Sequence, residues 1–281
     1  MYKRQDSALA LRYLLRRPQV YLIHTQENGL TGKTSDSFWR FAGRAHQWFE
    51  RSVVRWARSV VVFNEEYSRL VQQWNPQAVF SPTWYDPRLI KPSSASRDPH
   101  RILWVGRLEV PKDPELAIAA FVALAHRDPG SPWSLDLLGS GTMLDDVRQL
   151  VARLPGDVAR RIRVLGRVAP EQVATTMSEA GLFLMTSHSG YEGYARVLVE
   201  SMASGLPAVV TLGSDTGGLV VDGRTGFTCG RDPEELAGRL RDALPLDRDA
   251  VRASVADLDA PTLVRTLLTL DRTDTRTEAR L

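Results

Sequence analysis

Short apolar runs alternate with amphipathic stretches along the chain, and this alternation predicts strands and helices in turn. After residue 100, runs of five or six mostly apolar residues each end at a glycine, serine or threonine. These runs predict strands at 101–106, 134–139, 161–166, 182–187 and 206–211, with a shorter one at 225–229. The stretches between and after them predict helices at 113–126, 142–154, 169–181, 193–204 and 232–244. Such alternation is typical of an α/β fold with a parallel sheet covered on both faces.

The first ninety residues show the same alternation less regularly. Apolar, β-branched runs predict strands, and helical spacing of large apolar residues predicts helices. The predicted strands are 19–24, 59–64 and 77–82, the predicted helices are 1–17, 38–58 and 65–74, and residues 25–37 are a predicted polar loop. The stretch 91–100, rich in Pro and Ser, indicates a domain boundary. We therefore expect three regions, at 1–92, 98–260 and a helical tail at 261–281.

Composition narrows the class of protein. Apolar residues make up 43% of the chain and charged residues 25%, which is ordinary for a globular protein. The single cysteine, Cys229, excludes an internal disulfide and a cysteine metal cluster. The sequence holds no run of 18 apolar residues, and the N-terminus lacks the long apolar run and cleavage site of a signal peptide. These features predict a cytoplasmic protein.

Positive charge is concentrated near the N-terminus. Residues 1–75 hold twelve Lys and Arg against six Asp and Glu, interleaved with Trp39, Phe41, Trp48, Phe49 and Trp56. One interpretation is contact with an anionic acceptor or with the cytoplasmic membrane face. The favoured interpretation is an amphipathic helix with a solvated basic side and a buried aromatic side. No nucleic-acid motif accompanies the charge, so nucleic acid is not an expected partner.

Candidate chemistry lies where the predicted strands end, because open parallel sheets bind ligands at the carboxyl ends of their strands. The segment GRLEVPK places Gly106, Arg107 and Lys112 between a strand and a helix. Two cations beside a helix N-terminus suit a diphosphate. They are equally compatible with ordinary loop charges.

The segment EGYARVLVE supplies two carboxylates, Glu192 and Glu200, with seven residues between them. Glu192 precedes the predicted helix, whose first amides at Gly193, Tyr194 and Ala195 are free to bind an anion. Glu200 precedes a buried-looking run, so its carboxylate needs a partner such as two ribose hydroxyls. In the alternative interpretation, Glu192 only caps the helix and Glu200 is a surface charge.

Weaker signals come from other strand ends. Gly139 and Gly141 form a tight turn that resembles a phosphate loop only loosely. Gly166, Arg167 and Val168 form another turn, at which a backbone can approach a base. His24 ends a strand and is an active-site candidate, although a lone strand-end histidine is more often structural.

Metal-dependent chemistry is not expected. The two Asp-x-Asp pairs, Asp247/Asp249 and Asp257/Asp259, lie in the polar C-terminal stretch, away from any strong strand. The prediction is therefore a site without a metal or other cofactor.

Taken in order, these segments resemble glycosyltransferase family 4, the glycosyl transferases group 1, from about residue 98 to 245. The Glu192/Glu200 spacing followed by 202–207, the Gly-Arg-to-Lys spacing at 106–112 and the segment 222–227 carry the resemblance. It implies a GT-B fold of two Rossmann-like parallel-sheet domains, with 98–260 binding a nucleotide-sugar donor and 1–92 facing the acceptor.

The resemblance also implies roles for individual residues. Arg107 and Lys112 would hold the diphosphate, together with the amides of 193–195. Glu192 would contact hydroxyls of the donor sugar, and Glu200 the ribose. The turn at 166–168 would contact the base, and His24 would match a histidine that faces the donor sugar. The implied reaction is sugar transfer to a lipid or glycan acceptor, retaining and without metal.

Three departures keep other interpretations open. The family's Gly-Gly-x-Pro-Glu stretch reads SDTGG at 214–218 here, and its Pro-Asn-Gly-x-Asp reads PTWYD at 82–86. About 90 residues precede the boundary, fewer than the roughly 150 of a whole Rossmann-like domain, so we expect an incomplete N-terminal domain. The alternatives are a non-catalytic nucleotide-sugar-binding remnant and a sugar-nucleotide epimerase of the same fold, which the Glu/Glu spacing disfavours.

Overall fold

A computed structural model describes residues 20–23, 43–91 and 97–267. These residues divide into two compact units, one within Met1–Thr83 and Val264–Leu281, the other Trp84–Leu263. The predicted helix 1–17 and the predicted loop 25–37 lie outside the described residues. Within the described residues, no helix is long and apolar enough to cross a membrane.

The first unit contains a small parallel sheet, as the apolar runs predict. Its elements are β1 (Val20–Ile23), α1 (Gly43–Trp56), β2 (Ser59–Val62), α2 (Glu65–Gln72) and β3 (Val79–Phe80), with the strands in the order β1-β2-β3. The predicted strand 59–64 ends early because Asn64 caps α2, its side chain accepting from the Tyr67 amide at 2.7 Å. The predicted strand 77–82 is only two residues long.

Both tryptophans of α1 are exposed, although the favoured interpretation expected buried aromatics; Trp39 and Phe41 lie outside the described residues. Trp48 is 63% exposed and Trp56 41% exposed. The buried positions of the helix include His46 and Glu50 instead, and Glu50 accepts a 2.6 Å hydrogen bond from the Tyr67 hydroxyl. The exposed face of α1 therefore combines tryptophan with arginine.

The second unit is a six-stranded parallel sheet wound on both faces. Its strands are β4 (Arg101–Val105), β5 (Ser134–Leu138), β6 (Ile162–Gly166), β7 (Leu182–Met185), β8 (Ala208–Thr211) and β9 (Gly226–Cys229), in the order β6-β5-β4-β7-β8-β9. Its helices are α3 (Pro114–Arg127), α4 (Leu144–Ala152), α5 (Gly156–Ala159), α6 (Pro170–Glu179), α7 (Arg196–Ala203), α8 (Pro233–Asp242) and α9 (Arg248–Ala253). Each strand predicted after residue 100 is confirmed to within two residues at either end.

Alternate strand residues face two separate cores. Along β4, Ile102 and Trp104 pack with α3 and α8, whereas Leu103 packs with α6 and α7 on the opposite face. Along β7, Leu184 and Phe183 divide in the same way. Burial on both faces explains why these strands are continuously apolar in sequence.

A short segment ahead of β4 belongs to the second unit. The Tyr85 amide donates to the Leu258 carbonyl at 3.1 Å, and the Ala260 amide donates to the Tyr85 carbonyl at 2.9 Å. The units thus divide between Thr83 and Trp84, ahead of the stretch 91–100. The domain limits inferred from composition stay predictions.

A buried carboxylate in β5 links the neighbouring strands β4 and β6. Asp136, fully buried in β5, accepts from Arg101 at 2.8 Å and from Arg163 at 2.7 Å. Arg101 also donates to Glu179 at 2.8 Å. When one partner of a buried ion pair is removed, the remaining charges stay in a protein interior that solvates them poorly.

We expect Asp136→Ala to lower the free energy of unfolding by roughly 1–3 kcal/mol, because Arg163 loses its carboxylate partner and Arg101 keeps only Glu179. The measurement is urea unfolding followed by circular dichroism. Asp145→Ala is the matched control, since Asp145 is 86% exposed and lies 3.7 Å from Arg148. The control should change stability by less than about 0.5 kcal/mol. Equal losses in the two variants would contradict the role given to Asp136.

Candidate functional site

The strand order reverses between β4 and β7, and this reversal defines the candidate site. From β4 the chain continues to β5 and β6 on one side, and then returns through β7 to the other side. Crossover helices leave the sheet in opposite directions at such a point, so a crevice opens beyond the carboxyl ends of the two strands. The loops that follow β4 and β7, at 106–113 and 186–195, border this crevice.

The loop after β4 presents both predicted cations. The Arg107 guanidinium donates to Glu109 at 2.7 Å and also to the Tyr191 hydroxyl. Val110–Lys112 form one turn of 3₁₀-helix, which ends at Asp113. Lys112 is 15% exposed, so much of its stem is covered while its ammonium reaches the crevice.

The loop after β7 presents Glu192 to the same ammonium. Glu192 is 11% exposed and forms an ion pair with Lys112. The same Glu192 oxygen accepts a 2.6 Å hydrogen bond from the Ser187 hydroxyl. Sequence reasoning missed Ser187, although its place at the end of a predicted strand, five residues before Glu192, was a usable signal. Glu192 is therefore fixed from two sides, and the residue at the N-cap of α7 is Ala195 instead.

Glu200 lies in the second turn of α7, and its side chain is 22% exposed. Burial raises the pKa of the Glu200 carboxyl, and the neighbouring Arg196 offsets part of that rise. Arg196 donates to Glu200 at 2.9 Å, one helical turn earlier on the same face. Glu200 is thus a mostly buried carboxylate beside a cavity, and the surface-charge interpretation does not describe it.

These side chains line one open cavity of about 560 Å³. Six of the predicted site residues meet there, namely Gly106, Arg107, Lys112, Val168, Glu192 and Glu200. The remaining wall is mostly apolar and consists of Leu89, Ile90, Val105, Pro170, Val173, Ala174 and Val197, with Asp86 and Arg196. Concave sites with apolar walls and a few charged groups are typical of small-molecule binding. No sequence pattern predicted Leu89 and Ile90 in this wall, because they precede the second sheet.

Helix α7 begins three residues later than the predicted start at residue 193. Its first helical residue is Arg196, and Ala195 is the N-cap. The Gly193 carbonyl, ahead of the helix, accepts from the Thr216 hydroxyl. Among the described residues, the amides of Gly193 and Ala195 have no acceptor, so they remain available to an anion at the helix N-terminus.

The loop 214–218, where the sequence departs from the family pattern, is ordered by Asp215. Its carboxylate accepts from the amides of Gly217 at 3.2 Å and Val220 at 2.8 Å. A Cβ on Gly217 would lie 2.6 Å from the Tyr194 ring, so the glycine allows the loop to lie against that ring. Burial, reinforced by Asp215, raises the pKa of Tyr194 to about 12. The Asp ahead of Thr-Gly-Gly is a recognisable turn signal in the sequence.

Gly139 and Gly141 support the loop after β4 through close packing. A Cβ on Gly139 would lie 1.7 Å from the Gly106 carbonyl oxygen, and a Cβ on Gly141 would lie 2.3 Å from the Leu108 carbonyl oxygen. Gly139 also has a φ of 145°, a backbone angle that residues with a side chain rarely adopt. This packing accounts for both glycines, and their donor-binding role stays a prediction.

Of the residues predicted at the turn 166–168, only Val168 lines the cavity. Gly166 has a φ of 68° and its carbonyl accepts from the Gly139 amide at 2.8 Å. Arg167 is exposed, and Val168 lines the cavity. His24 lies outside the described residues, so its role stays a prediction.

The two Asp-x-Asp pairs have local roles. Asp247 caps α9 by accepting from the Asp249 amide at 2.9 Å. Asp259 accepts from the Thr262 amide at 3.0 Å. These turns account for both aspartates at helix starts.

We expect Gly139→Ala to lower the free energy of unfolding by about 2 kcal/mol or more, because the added methyl meets backbone at a positive φ. Thermal and urea unfolding provide the measurement. Gly130→Ala is the matched control, since a Cβ there meets nothing within 4 Å. If Gly139→Ala is as stable as the control, the close approach of the two loops is wrong.

We expect Glu200→Gln to stabilise the protein increasingly as pH rises. Burial raises the folded-state pKa of Glu200 above its ordinary 4.5, so ionisation costs more in the folded than in the unfolded state. The cost is absent below pH 4.5 and is complete above the raised folded-state pKa. Melting temperatures across about pH 4–8 measure it, with Glu171→Gln, exposed on α6, as the matched control. A pH-independent difference between wild type and Glu200→Gln would contradict the burial.

Comparison with known proteins agrees with this architecture. The chain is 28% identical over 250 residues to the glycogen synthase of Mycobacterium tuberculosis, covering 84% of the chain and 57% of that protein. It is 33% identical over 160 residues to the D-inositol 3-phosphate glycosyltransferase of Nocardia farcinica, covering 54% of the chain and 34% of that protein. The chain thus spans between about a third and somewhat over half of these relatives.

Solved structures of low sequence identity share the fold. Anabaena Alr3699/HepE, solved in complex with UDP and glucose, superposes with a TM-score of 0.68 at 19% identity, covering 99% of this chain and 76% of that one. The sucrose-phosphate synthase of Thermosynechococcus elongatus gives a TM-score of 0.72 at 18% identity, covering 97% and 72%. The α/β architecture is therefore of the GT-B type.

The family model described as "Glycosyl transferases group 1" matches residues 99–245, just over half of the chain. The match includes the loop after β4, the loop after β7 with Glu192, and helix α7 with Glu200. The chain belongs to the glycosyl transferases group 1 family.

Proposed function

We propose that this chain binds a nucleoside-diphosphate sugar in the cavity beside β4 and β7 and transfers the sugar to a lipid or glycan acceptor. The observation that carries the proposal is the convergence of Arg107, Lys112, Glu192 and Glu200 on one cavity. Two cations, two carboxylates and an apolar wall correspond to the diphosphate, the hydroxyl groups and the base of such a donor. The UDP bound in Anabaena Alr3699/HepE supports this class of ligand.

The cations are arranged to share their charge between protein and ligand. Lys112 has three N–H donors and uses one on Glu192, so two remain for phosphate oxygens. Arg107 is 62% exposed and already fixed by Glu109, so its remaining donors face solvent and ligand. Positive charge held in place beforehand stabilises the negative charge that develops on a departing nucleoside diphosphate. We therefore propose Arg107 and Lys112 as leaving-group stabilisers that act without metal or other cofactor.

The carboxylates divide between the two ends of the donor. We propose that Glu200 accepts the ribose hydroxyls, since Arg196 occupies only one of its oxygens. Glu192, held by Lys112 and Ser187 through one oxygen, presents its other oxygen to hydroxyls of the sugar. Hydroxyl recognition by a buried carboxylate is specific because an unmatched ligand leaves it unpaired.

We propose that the anomeric configuration is retained, with the acceptor attacking on the face from which the diphosphate departs. Cations that stay on the departing group can then hold it beside the incoming hydroxyl. The exposed Trp48 among the arginines of α1 supports an anionic acceptor or peripheral contact with the cytoplasmic membrane face. The non-catalytic remnant and the epimerase stay as alternatives, and sugar transfer separates them.

We expect calorimetric titration of the 281-residue chain to show saturable binding of UDP, GDP or ADP. Arg107→Ala and Glu200→Gln should each weaken it roughly tenfold or more, because each removes charge-assisted hydrogen bonds. Arg148→Ala and Glu171→Gln are matched controls on exposed helix faces and should bind like the wild type.

A turnover assay with a nucleotide sugar separates the alternatives. Release of nucleoside diphosphate from its sugar conjugate on adding an acceptor lipid or glycan supports the transferase. Binding without release under every acceptor tried supports the remnant, and appearance of an epimeric nucleotide sugar supports the epimerase. A folded wild-type chain that binds none of the three nucleotides contradicts the proposed donor site.

A further inference from the structure

Asp113 adopts a left-handed backbone conformation that is uncommon for residues other than glycine. Its φ is 46° and its ψ 65°, and it is the sole non-glycine residue of positive φ among the described residues. Aspartate enters the left-handed region more readily than most residues, because its carboxylate can hydrogen-bond locally, but the conformation still has a cost that the contacts of that carboxylate must offset. Asp113 directly follows Lys112, so this conformation sets the direction in which the lysine leaves the loop.

Asp113 is held through both carboxylate oxygens. Oδ1 accepts from the Leu116 amide at 3.0 Å and thereby caps α3. Oδ2 forms an ion pair with Arg231, and His188 Nε2 lies 3.7 Å from it. The cap is local, whereas the partner Arg231 lies 118 residues later in the chain.

Arg231 itself is fixed at the carboxyl edge of the sheet. It follows β9 and precedes Asp232, the N-cap of α8. Its Nη1 donates to the carbonyls of Thr186 at 3.0 Å and Ser187 at 3.2 Å, both just beyond β7. One guanidinium therefore connects the ends of β9 and β7 with the loop that carries Lys112. A planar guanidinium suits such bridging because its donors point in fixed directions.

A second contact restrains the same peptide. The Thr186 hydroxyl lies 2.9 Å from the Lys112 carbonyl and 2.7 Å from the Asp113 carbonyl, and it accepts from Trp104 Nε1 at 3.0 Å. Thr186 is thus held by hydrogen bonds of its hydroxyl with Lys112, Asp113 and Trp104, and by the bond from Arg231 to its carbonyl. The contacts form a closed network around Lys112 that does not include the lysine ammonium.

Resting on the proposed function, we propose that Arg231 is a positioning residue for Lys112. By pairing with Asp113 it keeps residue 113 in the left-handed conformation that directs the lysine toward the donor diphosphate. Arg231 does not line the donor cavity, so its effect on the ligand passes through Lys112. Arg231, Asp113 and Thr186 together are the basis of this assignment.

The test is a double-mutant cycle on nucleotide affinity in the full 281-residue chain. The probe is whichever of UDP, GDP and ADP the wild type binds most tightly, titrated by calorimetry. Arg231→Gln should weaken binding about tenfold in the wild-type background and by less than about twofold in a Lys112→Ala background. Equal losses in the two backgrounds would overturn the proposal, as would an unchanged affinity in Arg231→Gln alone.

Rescue by glycine separates positioning from general support. Glycine adopts a positive φ freely and is a good N-cap, so Asp113→Gly removes the need for Arg231. The pair Asp113→Gly/Arg231→Gln should bind within about threefold of the wild type. Should Arg231→Gln alone fail to fold, the pair compared with Asp113→Gly carries the test. A further loss larger than about threefold on substituting Arg231 in the Asp113→Gly background contradicts the proposal.

Controls distinguish this proposal from the donor site on which it rests. Arg127 lies at the C-terminal end of α3, the end away from Asp113, and forms a 2.7 Å ion pair with Glu234. Arg127→Gln breaks this pair and should leave nucleotide affinity unchanged. A wild type that binds no nucleotide, or binds it independently of Lys112 and Glu200, contradicts the donor site and this proposal together. Binding that needs Lys112 and Glu200 but not Arg231 contradicts the positioning role alone.

Discussion

The parallel pairing of β4 with β7 is the constraint on which the site depends. Ile102 and Leu103 pair with Leu182 and Phe183, although the two strands are separated by two complete strand-helix units. This pairing brings the loop after β4 beside the loop after β7, so Lys112 meets Glu192 across 80 residues of sequence. Without it, the cations and the carboxylates would lie at different points of the sheet edge.

Backbone packing keeps the loop after β4 in place before any ligand arrives. Gly139 and Gly141 let the turn after β5 approach the carbonyls of Gly106 and Leu108 more closely than a side chain would permit. The Leu108 amide in turn donates to Ser140 at 3.1 Å. A loop held by backbone contacts loses little conformational entropy on binding, which favours affinity.

The charges of the site are arranged so that each is matched without being neutralised completely. Glu109 and Glu192 each engage one cation, and Arg196 engages Glu200. Partial exposure leaves donors and acceptors available to a ligand, while burial makes each remaining interaction stronger than it would be in water. Burial of Glu200 is the cost of this arrangement, as the raised pKa of its carboxyl indicates. Under the proposed function, ligand binding and stability make opposite demands on that residue.

Local pattern in the sequence determined the elements and part of the site. Apolar runs located every strand of the second unit, and the seven-residue interval between Glu192 and Glu200 identified the approach to α7. Tertiary structure alone decided that α7 begins at Arg196, that Ser187 fixes Glu192, and that Arg231 pairs with Asp113. The physical reason is range: strands and helices follow from neighbouring side chains, whereas these contacts depend on which strand ends lie together and on how closely their backbones approach.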